Sequence, residues 1–399
     1  MALTRLSQSM IEHNTDSDLV NVRDYGVTGD GTTNDTAAFH AAFASGAADF
    51  YIPAGEYRVA NLIVPSTVKR LTGSGARTVF KSASSLGAYV PWIYLDQLHD
   101  FEISNFSTEF TNALGTTSAA IYGGTCVNGR IHDIRSHSGY MGVALASCDS
   151  VAVDDSEFDN SILYCLHALA ASSDITFSGN AFLSAPSGHV ISINGGSGHI
   201  LKENRITQTA AGSFGISMFG CSESIVAGNI VRATYLEGIQ GTNVNRLKID
   251  GNIILCNPAL HTDMGISLHG DTADCYDCAI TDNSIHYAGA TGIGLASDSR
   301  VSANIMMHSI VAGNKIYNPN RRNNANYTGV WCYGSNTQHN TIRDNDIIDT
   351  DNYVRYGVSE YNNGDGAPNN NIFIHNQFRG GGRLGEALVL GGGSVIKGL

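Results

Sequence analysis

Two carboxylates, Glu237 and Asp263, each stand just ahead of a short Gly-hydrophobic-x-hydrophobic run, in "TYLEGIQ" and "LHTDMGIS". Only 15% of the chain is charged, so acids set beside Tyr235 and His261 stand out. Paired carboxylates are what glycosidic hydrolysis needs. One protonates the leaving oxygen, and the other attacks the sugar or activates water from roughly 5 to 9 Å away. Glu237 takes the place that Met141, Phe214, Met264 and Tyr356 hold before equivalent glycines. A half-buried carboxyl with a raised pKa is therefore expected there, which suits a general acid. Glu237 is read as the acid and Asp263 as the base or nucleophile. That reading requires the two to sit one turn apart in a repeat.

The repeat is visible. From "SGNAF" onward an Asn followed two residues later by Ile, Val or Phe recurs at 180, 204, 229, 252, 283, 314, 345 and 376, at intervals of 24, 25, 23 and then 31 four times. Asn105, Asp133 and Asp155 are expected to extend the series backwards. Between these points lie short alternating runs such as "SIVAGNIV" and "LKIDGNII", too short and too β-branched for helices. A unit of this length with two or three strands fits one turn of a parallel β-helix of about 11 to 13 rungs. Each Asn then stacks at one bend, bonding along the ladder and to backbone left unpaired by the turn.

The Gly-headed runs mark another strand of each turn. Side chains alternate faces along a strand. The residues two after Gly (Ser217, Gln240, Ser267, Gly294, Trp331, Ser359) and four after (Phe219, Thr242, His269, Ala296, Tyr333, Tyr361) are thus expected outside. Aromatic faces stack on the C–H surfaces of sugars, and amides and hydroxyls bond sugar hydroxyls. Gln240, His269, Trp331, Tyr333 and Tyr361 are read as a sugar-binding strip, with Tyr235, His261 and Arg322 beside it on the preceding bend. The same strip is equally suited to burial between subunits. By the same parity Met264, Ile266 and Leu268 point inward, and so does Glu360, a competing acid unless it ends its strand.

"HTDMGISLHG" resembles a metal cluster, but eight residues of extended strand separate His261 from His269 by about 26 Å. No metal or cofactor is expected. Cys275 and Cys278 form a lone CxxC without a second ligand pair at zinc spacing, and the eight cysteines are expected to be free, buried thiols. A net charge of −13 and the lack of a Lys/Arg run argue against nucleic acid or a membrane surface as partner. No stretch has the ~18 apolar residues of a membrane span. The start, "MALTRLSQSMIEHN", has no apolar signal core.

At the other end of the repeat, "NVRDYGVTGDGTTNDTAAFHAAF" followed by "FYIPAGEYRV" closely resembles the opening of the pectate-lyase superfamily. These are right-handed parallel β-helices that include bacteriophage tailspikes, polysaccharide lyases, glycoside hydrolases and sugar epimerases. Asn34 or Asp35 is expected to cap a helix over "DTAAFHAAFAS", with Phe39 and Phe43 on one face and Gly46 at its end. That helix covers the first rung.

The chain is expected to divide into a lead-in (1–20), a cap with first rungs (21–60) and the β-helix (61–399). The resemblance implies work on carbohydrate. The expectation is an endo-acting glycoside hydrolase that cleaves a bacterial surface polysaccharide. The alternatives are a lyase acting at a uronate, with Tyr235 or His261 as base and Arg322 as cation, and a non-catalytic adhesin. A virion tail or the cell exterior is the expected location. A homotrimer and other phage tail proteins are the expected partners.

Overall fold

The computed structural model describes residues 19–84, 90–110, 119–169, 171–183, 188–207, 214–232, 236–257, 264–297, 304–321, 327–361, 367–380, 385–388 and 392–397. They form an all-β parallel solenoid of about twelve turns with one α-helix. Every strand pair between turns is parallel, as a coil that rises one rung per turn requires.

One turn carries three short strands, for example Ile225–Ala227, Ile230–Arg232 and Ile239–Thr242. Each short strand sends a side chain into a continuous core: Val226, Val231 and Ile239 here, Ile249, Ile254 and Ile266 on the next turn.

The bend between the first two strands is made by the asparagines. Each Oδ1 accepts the backbone N–H and the Nδ2–H of the Asn one rung earlier. Asn229 N and Nδ2, for example, both lie 2.9 Å from Asn252 Oδ1. Each Nδ2 also donates to a strand carbonyl, Asn252 to Val226 O at 2.9 Å. The chain of amides runs unbroken from Asn180 to Asn376.

The backward extension is corrected at all three positions. Asp155 is not a ladder residue: Ser156 is, its Oγ accepting from Ile134 N and its N–H donating to Asn180 Oδ1. Asn105, Asp133 and Asp155 are left-handed residues with φ of 62°, 52° and 48°, the place held later by Gly228 and Gly251. Asn and Asp tolerate that conformation, so they resemble ladder members in sequence while serving the turn.

The helix spans Thr36–Phe43, with Phe39 and Phe43 buried against Tyr57, Phe80 and Phe50. Asn34 caps it, its Oδ1 accepting from Thr36 N at 3.1 Å. Asp35 instead turns back and takes the N–H groups of Thr28 and Gly29. Gly29 and Gly31 have φ of 63° and 76° on either side of Asp30, which opens an irregular strand, Asp30–Asn34, paired with Gly55–Val59. All eight cysteines are free and buried. Among the described residues no helix is long and apolar enough to cross a membrane.

Candidate functional site

The third strand of each turn places the outward side chains. Register pairs Ser217 with Gln240, Gln240 with Ser267, Ser267 with Gly294, Gly294 with Trp331 and Trp331 with Ser359. Two residues on, Phe219, Thr242, His269, Ala296, Tyr333 and Tyr361 form the second column. Both columns lie in the expected order. The glycine that opens each strand is required by packing. A Cβ on Gly265 would lie 2.4 Å from Ile285 Cγ2, and one on Gly238 2.6 Å from Ile254 Cγ2.

These glycines also reset the alternation. The Cβ direction of Gly265 and the side chain of Ile266 both face the core. Met264 is therefore turned outward, contrary to the parity expectation. Its Sδ lies 2.5 Å from where a Cβ on Gly294 would stand. Glu237, at the equivalent place one rung earlier, is also directed to the outer face. It is 8% exposed, and its Oε1 lies 4.0 Å from Nε2 of His269. Burial holds the pKa of His269 below its ordinary value, offset in part by the charge of Asp271.

A cavity of about 400 Å³ opens at this point. Gln240, Thr242, His269 and Asp271 form its polar side; Met264, Ala296, Trp331 and Tyr333 form its apolar side. Asp271 continues the outward parity of Ser267 and His269, and extending the column by two residues identifies it in the sequence. Asn243 holds it in place: its Oδ1 accepts the N–H groups of Asp271, Thr272 and Ala273.

The structure thus brings together five of the ten residues expected at the site: Glu237, Gln240, His269, Trp331 and Tyr333. Tyr361 joins them one rung on, stacked on Tyr333 at 5.9 Å and 10°. Trp331 meets both tyrosines edge-on, at 4.7 and 5.8 Å. The three rings therefore pack on one another rather than lying flat as a platform. Tyr235, His261, Asp263 and Arg322 lie outside the described residues.

Glu360 points inward and is fully buried. Its Oε1 accepts from Asn371 Nδ2 at 2.9 Å and Ser394 Oγ at 2.7 Å. It closes a second polar ladder, Ser309–Asn340–Asn371–Ser394, which the sequence reading missed. These bonds tie it into the interior of the coil, away from the outer columns.

A further cavity of about 450 Å³ lies at the bend of Asn105, Asp133 and Asp155. Two of its carboxylates are already paired, Asp133 with His132 and Asp155 with Arg130. Among the described residues no group of His, Cys, Asp and Glu is arranged to hold a metal.

A family model described as rhamnogalacturonase A/epimerase, pectate lyase-like, matches residues 19–255, and one described as a right-handed β-helix region matches residues 165–347. A stretch of 73 residues is 44% identical to the mannuronan C5-epimerase AlgE2 of Azotobacter vinelandii; it covers 15% of this chain and 7% of that protein. The chain thus spans only a small part of that curated relative.

Among solved structures, the A-module of the A. vinelandii mannuronan C-5 epimerase AlgE4 superposes with a TM-score of 0.64 at 18% identity, covering 95% of this chain and 100% of that one. The catalytic unit of a GH87 alpha-1,3-glucanase from Streptomyces thermodiastaticus gives 0.64 at 16%, covering 93% and 70%. Tailspike protein 3 of bacteriophage CBA120 gives 0.62 at 13%, covering 95% and 61%. At these identities the likeness establishes the right-handed β-helix fold.

Proposed function

The chain belongs to the rhamnogalacturonase A/epimerase, pectate lyase-like family, and from that premise we propose that it binds and cleaves a bacterial surface polysaccharide by hydrolysing a glycosidic bond beside Glu237. The observation that carries this reading is the buried Glu237 carboxyl, 4.0 Å from the imidazole of His269, next to a cavity walled by Trp331 and Tyr333.

Glu237 gives its proton to the glycosidic oxygen as the C–O bond breaks. Asp263, on the segment leading into Met264, is the proposed second carboxylate, and Asp271 competes for that role from the cavity itself. The second carboxylate either takes a proton from the attacking water or forms a glycosyl ester that water then opens. His269 positions the substrate as a neutral ring. Gln240, Trp331, Tyr333 and Tyr361 bind sugar, as do Tyr235, His261 and Arg322 from the bend.

The glucanase and tailspike among the structural neighbours support a depolymerase. The tailspike also supports a place in a virion tail; a homotrimer and other tail proteins are the partners proposed with it. Incubating the protein with capsular and O-antigen polysaccharides and sizing the products tests the proposal. Shortened chains that Glu237→Gln no longer produces support it; undiminished cleavage by Glu237→Gln overturns the assignment.

The neutral imidazole of His269 and the stretch shared with a mannuronan C5-epimerase favour a second reading, proton abstraction at C5 of a uronate. His269 takes the proton alpha to the carboxylate. The carbanion then either expels the 4-linked oxygen, as in a lyase, or is reprotonated on the opposite face, as in an epimerase. Ultraviolet absorbance of an unsaturated uronate, or an altered C5 configuration without chain shortening, identifies these outcomes. Binding without any of them identifies an adhesin.

A further inference from the structure

Directly after His269 the register between turns slips. Thr242 pairs with His269, 27 residues on, whereas Asn245 bridges Tyr276, 31 residues on. The six residues from Gly270 to Cys275 therefore stand where one turn earlier there are two, Asn243 and Val244. The added chain lies beside the cavity, and Asp271 is part of it.

Peptide groups in such an insertion have no ladder partner and must be satisfied by side chains or water. Asn243, on the preceding turn, takes most of them. Its Oδ1 accepts the N–H groups of Asp271, Thr272 and Ala273 at 2.8, 3.0 and 3.1 Å, and its Nδ2 donates to Thr272 Oγ1 at 2.8 Å. From the following turn, Asn304 Nδ2 donates to Asp271 O at 2.6 Å, and Ile305 N donates to Asp274 Oδ1 at 2.9 Å. Asp271 is thus held at both its N–H and its C=O, while its exposed side chain lines the cavity. A reacting group is useful only where its support is fixed. Asn243 is itself 5% exposed with φ of 56°, a left-handed conformation that Asn and Asp adopt more readily than most residues.

Glu237 lies 4.0 Å from His269, and the charge of Asp271 acts on the same imidazole. The two carboxylates share one neighbour.

We infer that Asp271 is the second carboxylate of the hydrolytic pair and that Asn243 is its positioning residue, holding the insertion so that this carboxylate stays at the cavity. This rests on the polysaccharide reading above and deepens it, deciding between the two acids named there. As the glycosidic C–O bond breaks, the proton of Glu237 goes to the leaving oxygen. Asp271 accepts the proton of the attacking water, or bonds to the anomeric carbon until water replaces it.

The chain has two tryptophans. Trp92 is buried and stacked on Phe110 at 4.6 Å, so a ligand-induced change in tryptophan emission reports on Trp331, which lines the cavity. Wild type, Asp271→Asn, Asn243→Gly and Asn243→Asp are compared on the capsular or O-antigen polysaccharide that wild type shortens. The rate of product formation, Trp331 emission and melting temperature are recorded together. Asp271→Asn changes an exposed residue and is expected to melt with wild type, keep its affinity and lose about a hundredfold in kcat. Asn243→Gly keeps the left-handed backbone and removes the clamp, so kcat is expected to fall about tenfold with affinity retained. Asn243→Asp keeps an oxygen that accepts the three N–H groups and is expected to restore kcat.

Undiminished kcat in Asp271→Asn overturns the inference and leaves the polysaccharide reading standing with Asp263 as its second acid. Undiminished kcat in Asn243→Gly, or a loss of affinity in place of kcat, overturns the positioning role. Should Asn243→Gly fail to fold, Asn304→Ala takes its place, because it loosens Asp271 from the other side, and the same fall in kcat is expected. Failure of wild type to shorten any polysaccharide overturns both readings.

Discussion

Glu237 and His269 face each other across one rung, Oε1 to Nε2 at 4.0 Å, although 32 residues separate them in the chain. Neither reaches the site by a loop of its own. Gly238 N donates to Met264 O and Thr242 pairs with His269, so the ladder itself sets their separation. Glu237→Gln keeps the shape and removes the transferable proton. It is expected to lower kcat by about a thousandfold with affinity retained, read from the rate of product formation alongside Trp331 emission.

Glu360 provides the contrast. Glu360→Leu leaves Asn371 Nδ2 and the Ser394 hydroxyl without their acceptor, at a cost of about 2 to 4 kcal/mol. Equilibrium urea unfolding should show that loss while kcat per folded molecule is unchanged. A drop in kcat would return Glu360 to the catalytic assignment.

The asparagine ladder predicts a larger penalty. Asn283→Ala strips the acceptor from Asn252 N and Nδ2 and the donor from Ile249 O. All of these are buried, so a loss of about 3 to 5 kcal/mol is expected. Asn→Ala at the terminal Asn376, which has an Asn neighbour on one side only, should cost less. Denaturation midpoints of the two variants compare them directly.

The ladder and both outward columns were legible in the sequence because each rests on strict chemistry at a fixed period. Asn alone combines an acceptor and two donors of the right reach, and side-chain alternation has a period of two. What escaped notice depended on local breaks in those rules. Gly265 and Ile266 both face inward, so Met264 came out on the wrong side. Asp155 shares its residue type with polar ladder members but occupies the left-handed turn position. The mutual stacking of Trp331, Tyr333 and Tyr361 depends on rotamers, which spacing does not encode. The second ladder mixes Ser and Asn, and so has no single-residue signature.

Stability should fall on acidification. Burial pushes His167 down to about 4, helped by the nearby His189, which burial also holds at about 4, against an ordinary value of 6.5. Below that ordinary value the unfolded chain takes up protons that the folded one refuses. Stability is therefore intact above about pH 6.5 and declines as pH falls toward 4. For His167, 7% exposed, the full loss is about 3 kcal/mol, and His189, being more exposed, contributes less. Melting temperatures between pH 7 and 4 should drop for wild type and drop less for His167→Phe.

The amide chain from Asn180 to Asn376 has a direction. Every link to an Oδ1 along it runs from the backbone N–H and one Nδ2–H of an Asn to the following Asn, while the other Nδ2–H reaches back to a strand carbonyl of the preceding rung. Aligned hydrogen bonds polarise one another, so the rod carries an axial dipole independent of its net charge. The two ends of the protein are consequently electrically unlike, and an added turn is bound differently at one end than at the other. Elongation of such a coil is a vectorial process, with its sense set by one repeated side chain.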